Sequence, residues 1–290
     1  MGKILVTGVT GSLGKDVVTY LSKRADIANI AVLVRDSSKV QELKAIGIDV
    51  RVGDYDNYNS LLDAFKDVEK LYFVSGSDIV KRLSQHTNVV NAAKESRVKH
   101  IFYTSFMRKN ETQTSPIAFI TDAHLKTENL IKESGIKYTI LKHAIYADII
   151  PMFAGENLLE SGVLYFPAGD EKIGFTLRND MAELAAVLLT SDGHENKFYD
   201  VTNEETITFS EIATIISKIS GKVISYVSPT QEEYSKTLLD AGVPNEFIGM
   251  FAGFAEAFKQ GEFTETNNFI QTIIGRKPVS VEQFLEKVYS

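Results

Sequence analysis

The sequence predicts an α/β chain: a doubly wound parallel sheet with a smaller, mostly helical C-terminal lobe. Three observations carry this expectation. Short apolar runs alternate with helix-length segments through the first half of the chain. A glycine-rich turn joins the first apolar run to the first helical segment. After Pro229 the pattern turns mostly helical, and Gly242, Pro244, Gly249, Gly253 and Gly261 divide it into several short helices.

The apolar runs of the first half are residues 4–7, 30–34, 50–52, 71–74, 101–104 and 138–141. Each is bounded by Gly, Asp or Ser and rich in branched or aromatic side chains, as fully buried strands of a parallel sheet are. Helical patterns lie between them, for example over residues 13–23 and 79–95. Such alternation implies right-handed βαβ units. In the second half, residues 180–189 read as a helix that starts at an acidic cap, and 198–201 as a strand. Residues 209–219 read as a helix ended by Gly221, and 222–227 as a strand. The expected division is a dinucleotide-binding domain over residues 1–150 and a smaller substrate lobe over 151–290. Elements from about 173–201 are expected to return to the first domain.

Bulk composition fits this architecture. With 290 residues, 44% hydrophobic and 24% charged, the chain can bury a sizeable core. A net charge of −7 disfavours nucleic acid and anionic membranes as partners. The absence of cysteine excludes disulfides, thiolate catalysis and cysteine-ligated zinc. The five histidines show no metal-ligand spacing, so no metal is expected. The opening residues run straight into a strand pattern without a signal-peptide profile, and no segment approaches the ~18 consecutive apolar residues of a membrane span. A cytoplasmic protein, monomer or homodimer, is expected.

The strongest motif is Thr7-Gly8-Val9-Thr10-Gly11-Ser12-Leu13-Gly14, a GxxGxxG turn between a strand and a helix. Gly8 allows a sharp turn after the strand. Gly11 lets backbone approach a pyrophosphate, and Gly14 lets the helix pack closely on the sheet. The helix start offers free N–H groups to phosphates. Thr10, Ser12 and Leu13 belong to this turn and join the glycines as cofactor-binding candidates. The context makes the sheet Rossmann-type. No Gly-Lys-Ser/Thr follows, so a P-loop is excluded.

The second strand ends Val34-Arg35-Asp36. An arginine there suits the 2′-phosphate of NADPH, and Asp36 offers the competing reading, a ribose hydroxyl of NADH. NADPH is therefore the expected cofactor, with NADH possible. Other residues at strand ends should line the same crevice: Asp54 and Tyr55 after the third strand, Val74, Ser75 and Gly76 at the fourth, and Ser105 after the fifth.

The segments TGVTGSLG, LVRD, GDYDN and DAHLKTENLIKESGIKYTILKHAIY resemble the NmrA-like branch of the atypical short-chain dehydrogenases, and within it the bacterial NADPH:quinone oxidoreductase and triphenylmethane-reductase-like members. FPAGDEKIGFTLRNDMAELAAVLL and the terminal GRKPVSVEQFL also resemble that group, so the likeness spans nearly the whole chain. The resemblance implies an NADPH-binding domain, a lobe that closes over the substrate, and reduction of quinones or other conjugated, electron-poor compounds. Some relatives are redox-sensing regulators, which leaves a dinucleotide-binding sensor with little turnover as the alternative.

A Tyr-x-x-x-Lys match exists at Tyr138–Lys142, but on an apolar, β-branched run. Four residues span about 13 Å on a strand and about 6 Å on a helix. The pair therefore cannot cooperate as the usual dehydrogenase dyad does. Quinones accept hydride readily, so orientation can supply much of the rate. The candidate donors or orienting groups are His124, Lys126 and Tyr146, with Ser105 as a hydroxyl near the substrate carbonyl. His124 is expected to titrate near neutrality and to serve proton transfer or a ribose hydrogen bond. Thr127 and Glu128 are expected to serve helix packing and solvent. Phe247, Phe251, Phe254 and Phe258 recur at helical spacing. They should dock the C-terminal lobe or line a pocket for a flat aromatic substrate, with Gly249 and Gly253 allowing close approach.

Overall fold

A computed structural model describes residues 2–290. The strands in chain order are β1 (Lys3–Val6), β2 (Ile30–Val34), β3 (Asp49–Val52), β4 (Val68–Phe73), β5 (His100–Phe106), β6 (Lys137–His143), β7 (Val163–Tyr165), β8 (Lys197–Val201) and β9 (Ser225–Val227). Seven of them form one sheet in the order β3-β2-β1-β4-β5-β6-β8, and every pairing in it is parallel. The chain builds outward from β1 to β3, then returns across β1 to lay down β4. This reversal opens a crevice above the carboxyl ends of β1 and β4.

Helices cover both faces. In chain order they are α1 (Ser12–Leu21), α2 (Gln41–Ala45), α3 (Tyr58–Ala64), α4 (Arg82–Glu95), α5 (Ala118–Glu133), α6 (Ile150–Ala154), α7 (Leu158–Ser161), α8 (Arg178–Thr190), α9 (Phe209–Ser220), α10 (Gln231–Asp240), α11 (Asn245–Lys259), α12 (Phe269–Ile274) and α13 (Val281–Tyr289). Side chains alternate across a strand. Ile4 and Val6 of β1 therefore join Val17 of α1 and Leu184 of α8 on one face. Leu5 points the other way and joins Leu61 of α3, Val89 of α4 and Ile131 of α5. Full burial holds for the central strands. The two edge strands, β3 and β8, are half exposed, because a strand with one neighbour and partial helix cover meets water.

Chemistry-bearing residues sit where β5 and β6 run longer than their apolar runs, to Phe106 and His143. Tyr138 and Lys142 both lie on β6, a strand and not a helix, as their β-branched surroundings require. The β7–β9 pair is a separate two-stranded parallel sheet, and its first strand is too short to show a period in sequence. α8 begins at Arg178 with Leu177 as its cap, so Asp180 is not the cap. Asp180 is instead fully buried and accepts from the Val279 amide at 2.8 Å beside Arg276, which ties the C-terminal segment to α8.

A separate aromatic core, formed mostly by later residues, brings Phe153, Phe166, Phe209 and Phe258 together edge-on or tilted. Its helices α9, α10 and α13 each start with a capping box, Thr208 with Glu211, Thr230 with Glu233 and Ser280 with Gln283. Gly221 ends α9 in the left-handed region. The phenylalanine stripe of α11 is a docking face only in part. Phe254 and Phe258 are buried in the lobe core, while Phe247 is 47% exposed. Gly253 is needed for close approach, since a Cβ there would stand 2.8 Å from the Pro116 carbonyl. Gly249 faces open space and permits no such contact.

Candidate active site

The glycine turn sits at the carboxyl end of β1, and its three glycines answer to different constraints. Gly8 has φ +67°, and a Cβ there would meet the Val74 side chain at 2.9 Å. Gly14 packs so closely that a Cβ would lie 2.4 Å from the Gly8 carbonyl oxygen. Gly11 is under no comparable internal demand. Its φ is −94°, and the nearest contact of a Cβ would be 3.4 Å. Close packing explains Gly8 and Gly14, while the fold places no such clash at Gly11. Gly11 also caps α1 without any side-chain bond, and no acidic residue enters the first turn. The amides of Ser12, Leu13 and Gly14 therefore keep their N–H groups for an anion. Thr10 and Ser12 are exposed, whereas the Leu13 side chain is buried in the core, so Leu13 offers the crevice its backbone alone.

Arg35 follows β2 exposed, with no hydrogen bond or ion pair to any described residue. Asp36 is engaged elsewhere: its carboxylate accepts from the Ser38 amide at 2.9 Å and the Ser38 hydroxyl at 2.7 Å. These bonds hold its pKa below the usual carboxylate value. The structure thus leaves the guanidinium, and not the carboxylate, free at this strand end.

Tyr55 is an internal brace. Its hydroxyl lies against Thr7 Oγ1 and 3.0 Å from the Val74 carbonyl, and the Val74 amide donates to Thr7 Oγ1 at 2.9 Å. This knot fixes the ends of β1 and β4 at the reversal point and takes the Tyr55 hydroxyl away from a ligand. Asp54 closes a local turn by accepting from the Asp56 amide at 3.0 Å. The Ser75 amide donates to Thr104 Oγ1 at 2.9 Å.

Behind the fourth and fifth strand ends lies a chain of hydrogen bonds whose directions at His86 can be deduced. The Gly76 amide donates to His86 Nε2 at 3.0 Å, so that nitrogen carries no proton. His86 Nδ1 is then the protonated nitrogen and donates to Thr127 Oγ1 at 2.8 Å, whose own hydrogen goes to the Ala123 carbonyl at 2.7 Å. The Tyr103 hydroxyl lies 2.8 Å from His124 Nδ1 and extends the chain to α5. His124 Nε2 meets no hydrogen-bond partner among the described residues. Burial, with Arg82 adding to it, pushes His86 down to about 3. Burial, reinforced by the guanidinium charges of Arg82 and Arg108, lowers His124 well below the ordinary histidine value. His124 is therefore a neutral imidazole held in place, not the group titrating near neutrality that its residue type suggests.

Ser105 does not stand free at the end of β5. It is 2% exposed, and its hydroxyl donates to Glu128 Oε1. Glu128 is clamped by Arg108 through two bonds of 2.9 Å, one to each carboxylate oxygen. Thr127 and Glu128 are thus buried network members and do not face solvent; a four-residue step from His124 along α5 places Glu128 on the same inner face. Arg108 escaped sequence reasoning because it lies in an irregular stretch with no period. Tyr146 follows β6, with its hydroxyl 3.1 Å from His143 Nδ1 and the Arg178 guanidinium 4.1 Å from its ring centre. Burial pushes the Tyr146 phenol up to about 12, so it stays protonated. Lys126 lies on the outer side of α5 and pairs with Asp122 at 2.7 Å, away from this network.

The arrangement offers an anion-ready helix start, a free guanidinium on the neighbouring strand end, and a neutral imidazole farther along the same row of strand ends. Known proteins resemble this chain over most or all of its length. The NmrA-like family profile matches residues 1–285. Quinone oxidoreductase 2 of Escherichia coli is 33% identical over 287 residues, covering 99% of each chain. The NAD(P)H azoreductase of Xenophilus azovorans is 29% identical over 243 residues, covering 83% of this chain and 82% of that protein. The Citrobacter sp. triphenylmethane reductase, solved in complex with NADP(H), superposes with a TM-score of 0.90 at 35% identity, covering 99% of this chain and 100% of that one.

Proposed function

The chain belongs to the NmrA-like family, and from that premise we propose that it is an NADPH-dependent oxidoreductase that reduces quinones or similar flat, electron-poor compounds by hydride transfer. The observation that carries this reading is the pairing of an uncapped, acid-free α1 start at Gly11 with an unpartnered Arg35. Together they offer one site for a pyrophosphate and one for a 2′-phosphate. Bound NADPH supplies the hydride. The amides of Ser12, Leu13 and Gly14 receive the pyrophosphate, and Arg35 receives the 2′-phosphate through charge-assisted bonds. Asp54, Val74, Ser75 and Gly76 line the crevice between them. His124 Nε2 orients a ribose hydroxyl or the acceptor. Tyr146, with Arg178 on its ring, forms a flat wall against which a planar acceptor can stack.

The similar proteins act on a quinone, an azo compound and a triphenylmethane dye by their names. The shared chemistry is a flat conjugated system that takes up hydride. Such an acceptor needs orientation more than acid catalysis, which fits a site whose histidines are held neutral. We further propose residues 1–150 as the cofactor domain, with residues 173–201 returning to it, a cytoplasmic location, and a monomer or homodimer. No helix among the described residues is long and apolar enough to cross a membrane.

The test is oxidation of NADPH by the purified protein across simple quinones, azo compounds and triphenylmethane dyes, repeated with NADH. Acceptor-dependent oxidation, faster with NADPH, is the expected result. Tight NADPH binding without oxidation by any acceptor would replace this reading with that of a dinucleotide sensor.

A further inference from the structure

Arg82 opens α4 at the carboxyl end of β4 and is 7% exposed. Its Nε–H donates to the Gly76 carbonyl at 2.8 Å, which fixes the direction of the guanidinium. No other N–H of that group meets an acceptor among the described residues, and Nη1 is buried with no partner at all. A desolvated guanidinium with so few acceptors is costly to fold around, and such a group calls for an explanation outside the chain. The carboxylate nearest in sequence, Asp78, is engaged by the Val80 and Lys81 amides at 3.1 Å each. The other arginine by this wall, Arg178, already lies over the Tyr146 ring and 3.9 Å from Asp148. Gly76, whose carbonyl anchors Arg82, also donates its amide to His86 Nε2, so the guanidinium and the buried histidine network meet just past the end of β4.

We propose that the Arg82 guanidinium binds the acceptor oxygen that becomes anionic during reduction, and so sets the preference of this site for quinones over cationic dyes. The proposal rests on the reductase reading above. Reduction of a quinone by hydride breaks the C–H bond of the dihydronicotinamide with its electron pair and forms an O–H bond at one quinone oxygen. The opposite oxygen is left as a phenolate, which then takes a proton from water. NADPH is oxidised to NADP+ and the quinone is reduced to the hydroquinone. A fixed cation beside the developing phenolate stabilises that charge without a proton donor, which the neutral histidines and the protonated Tyr146 do not readily supply. A triphenylmethane cation takes hydride at its central carbon and becomes neutral. No oxyanion forms, so the same guanidinium gives no help and repels the incoming dye.

Two measurements test this. The first uses the NADP+-bound protein and p-nitrophenol, read by its phenolate absorbance. The bound phenol is expected to ionise about 1–2 pH units below the free one, and Arg82→Met is expected to abolish that difference. The second compares kcat/KM for a quinone and for a triphenylmethane dye. Arg82→Met is expected to lower the quinone value roughly 10- to 100-fold and leave the dye value unchanged or raised, with Arg82→Lys recovering part of the quinone activity. An unshifted phenol on the wild-type protein overturns the proposal, and this holds even where Arg82→Met does not fold. Equal losses for both acceptors, or weakened NADPH binding in place of either, also overturn it, because Arg82 would then serve the fold or the cofactor. Wild-type protein that oxidises NADPH with neither acceptor defeats the reductase reading itself.

Discussion

Arg35 stands at the strand end with no competitor for its charge, because the Asp36 carboxylate is held by Ser38. Arg35→Ala should therefore weaken NADPH binding by about 1.5–3 kcal/mol, the range of a charged hydrogen bond, and change NADH binding little. Calorimetric titration with both cofactors checks this; equal losses would show that Arg35 does not read the 2′-phosphate. His124 makes the opposite kind of prediction. Its burial keeps it neutral, so the pH profile of kcat at saturating NADPH should show no break near the ordinary histidine value of about 6.5. A break there that vanishes in His124→Gln would show that the imidazole titrates after all. Which residues fall at strand ends was legible in the sequence, since strand termini follow from the apolar runs and the residues that bound them. What each side chain touches was not legible. Ser105 and Tyr55 were expected at the ligand and are instead tied to Glu128 and Thr7. A hydroxyl after a strand looks the same in sequence whether it faces a ligand or an inward carboxylate.

The turn from β1 to α1 separates folding from binding within three glycines. Gly14→Ala forces a Cβ to within 2.4 Å of the Gly8 carbonyl and should destabilise the protein by several kcal/mol or unfold it. Gly11→Ala meets nothing closer than 3.4 Å and should melt close to wild type while binding NADPH more weakly. Thermal melts with and without cofactor distinguish the two, and a large stability loss in Gly11→Ala would mean that the turn is glycine-rich for folding alone. Between β5 and α5, the Arg108–Glu128 pair is buried on both sides, at 0% and 3% side-chain exposure. Glu128→Gln leaves the buried Arg108 only the exposed Glu111, 3.0 Å away, to balance its charge, so it should cost up to about 3–5 kcal/mol, measurable by denaturant unfolding. At this scale the sequence was most informative where apolar period and turn residues coincide, as in β2 and in α9 with its Gly221 stop. It was least informative at β7, too short for a period, and at Asp180, whose acidic side chain near a helix start imitates a cap while it binds Val279 and Arg276.

The molecule as a whole places four histidines inside the fold, His86, His100, His124 and His143, all with pKa values lowered chiefly by burial. His86 and His143 are brought to about 3 and His100 to about 4. Unfolding exposes them to water, where each binds a proton below about pH 6.5. The unfolded state then holds more protons, so their contribution to stability is complete above that pH and is lost as pH falls toward the folded values. Each adds up to about 1.4 kcal/mol per pH unit to the slope. The melting temperature should therefore fall steeply between about pH 6.5 and pH 5, above the range where ordinary carboxylates titrate; a flat profile there would contradict neutral burial. Fold class and crevice followed from a pattern distributed over the whole chain. The network behind the strand ends joins Gly76, just past β4, to residues of α4, β5 and α5, and spatial neighbours so far apart in sequence leave no local signal. The central claim is that NADPH bound above β1 and β4 gives its hydride to a flat acceptor. The most direct measurement is a single turnover of protein-bound NADPH with a quinone, run with ordinary cofactor and with cofactor deuterated at the transferred position. The account predicts loss of the NADPH absorbance on adding quinone, at a rate that falls with deuterium. Bound NADPH that keeps its absorbance in the presence of quinone would contradict it.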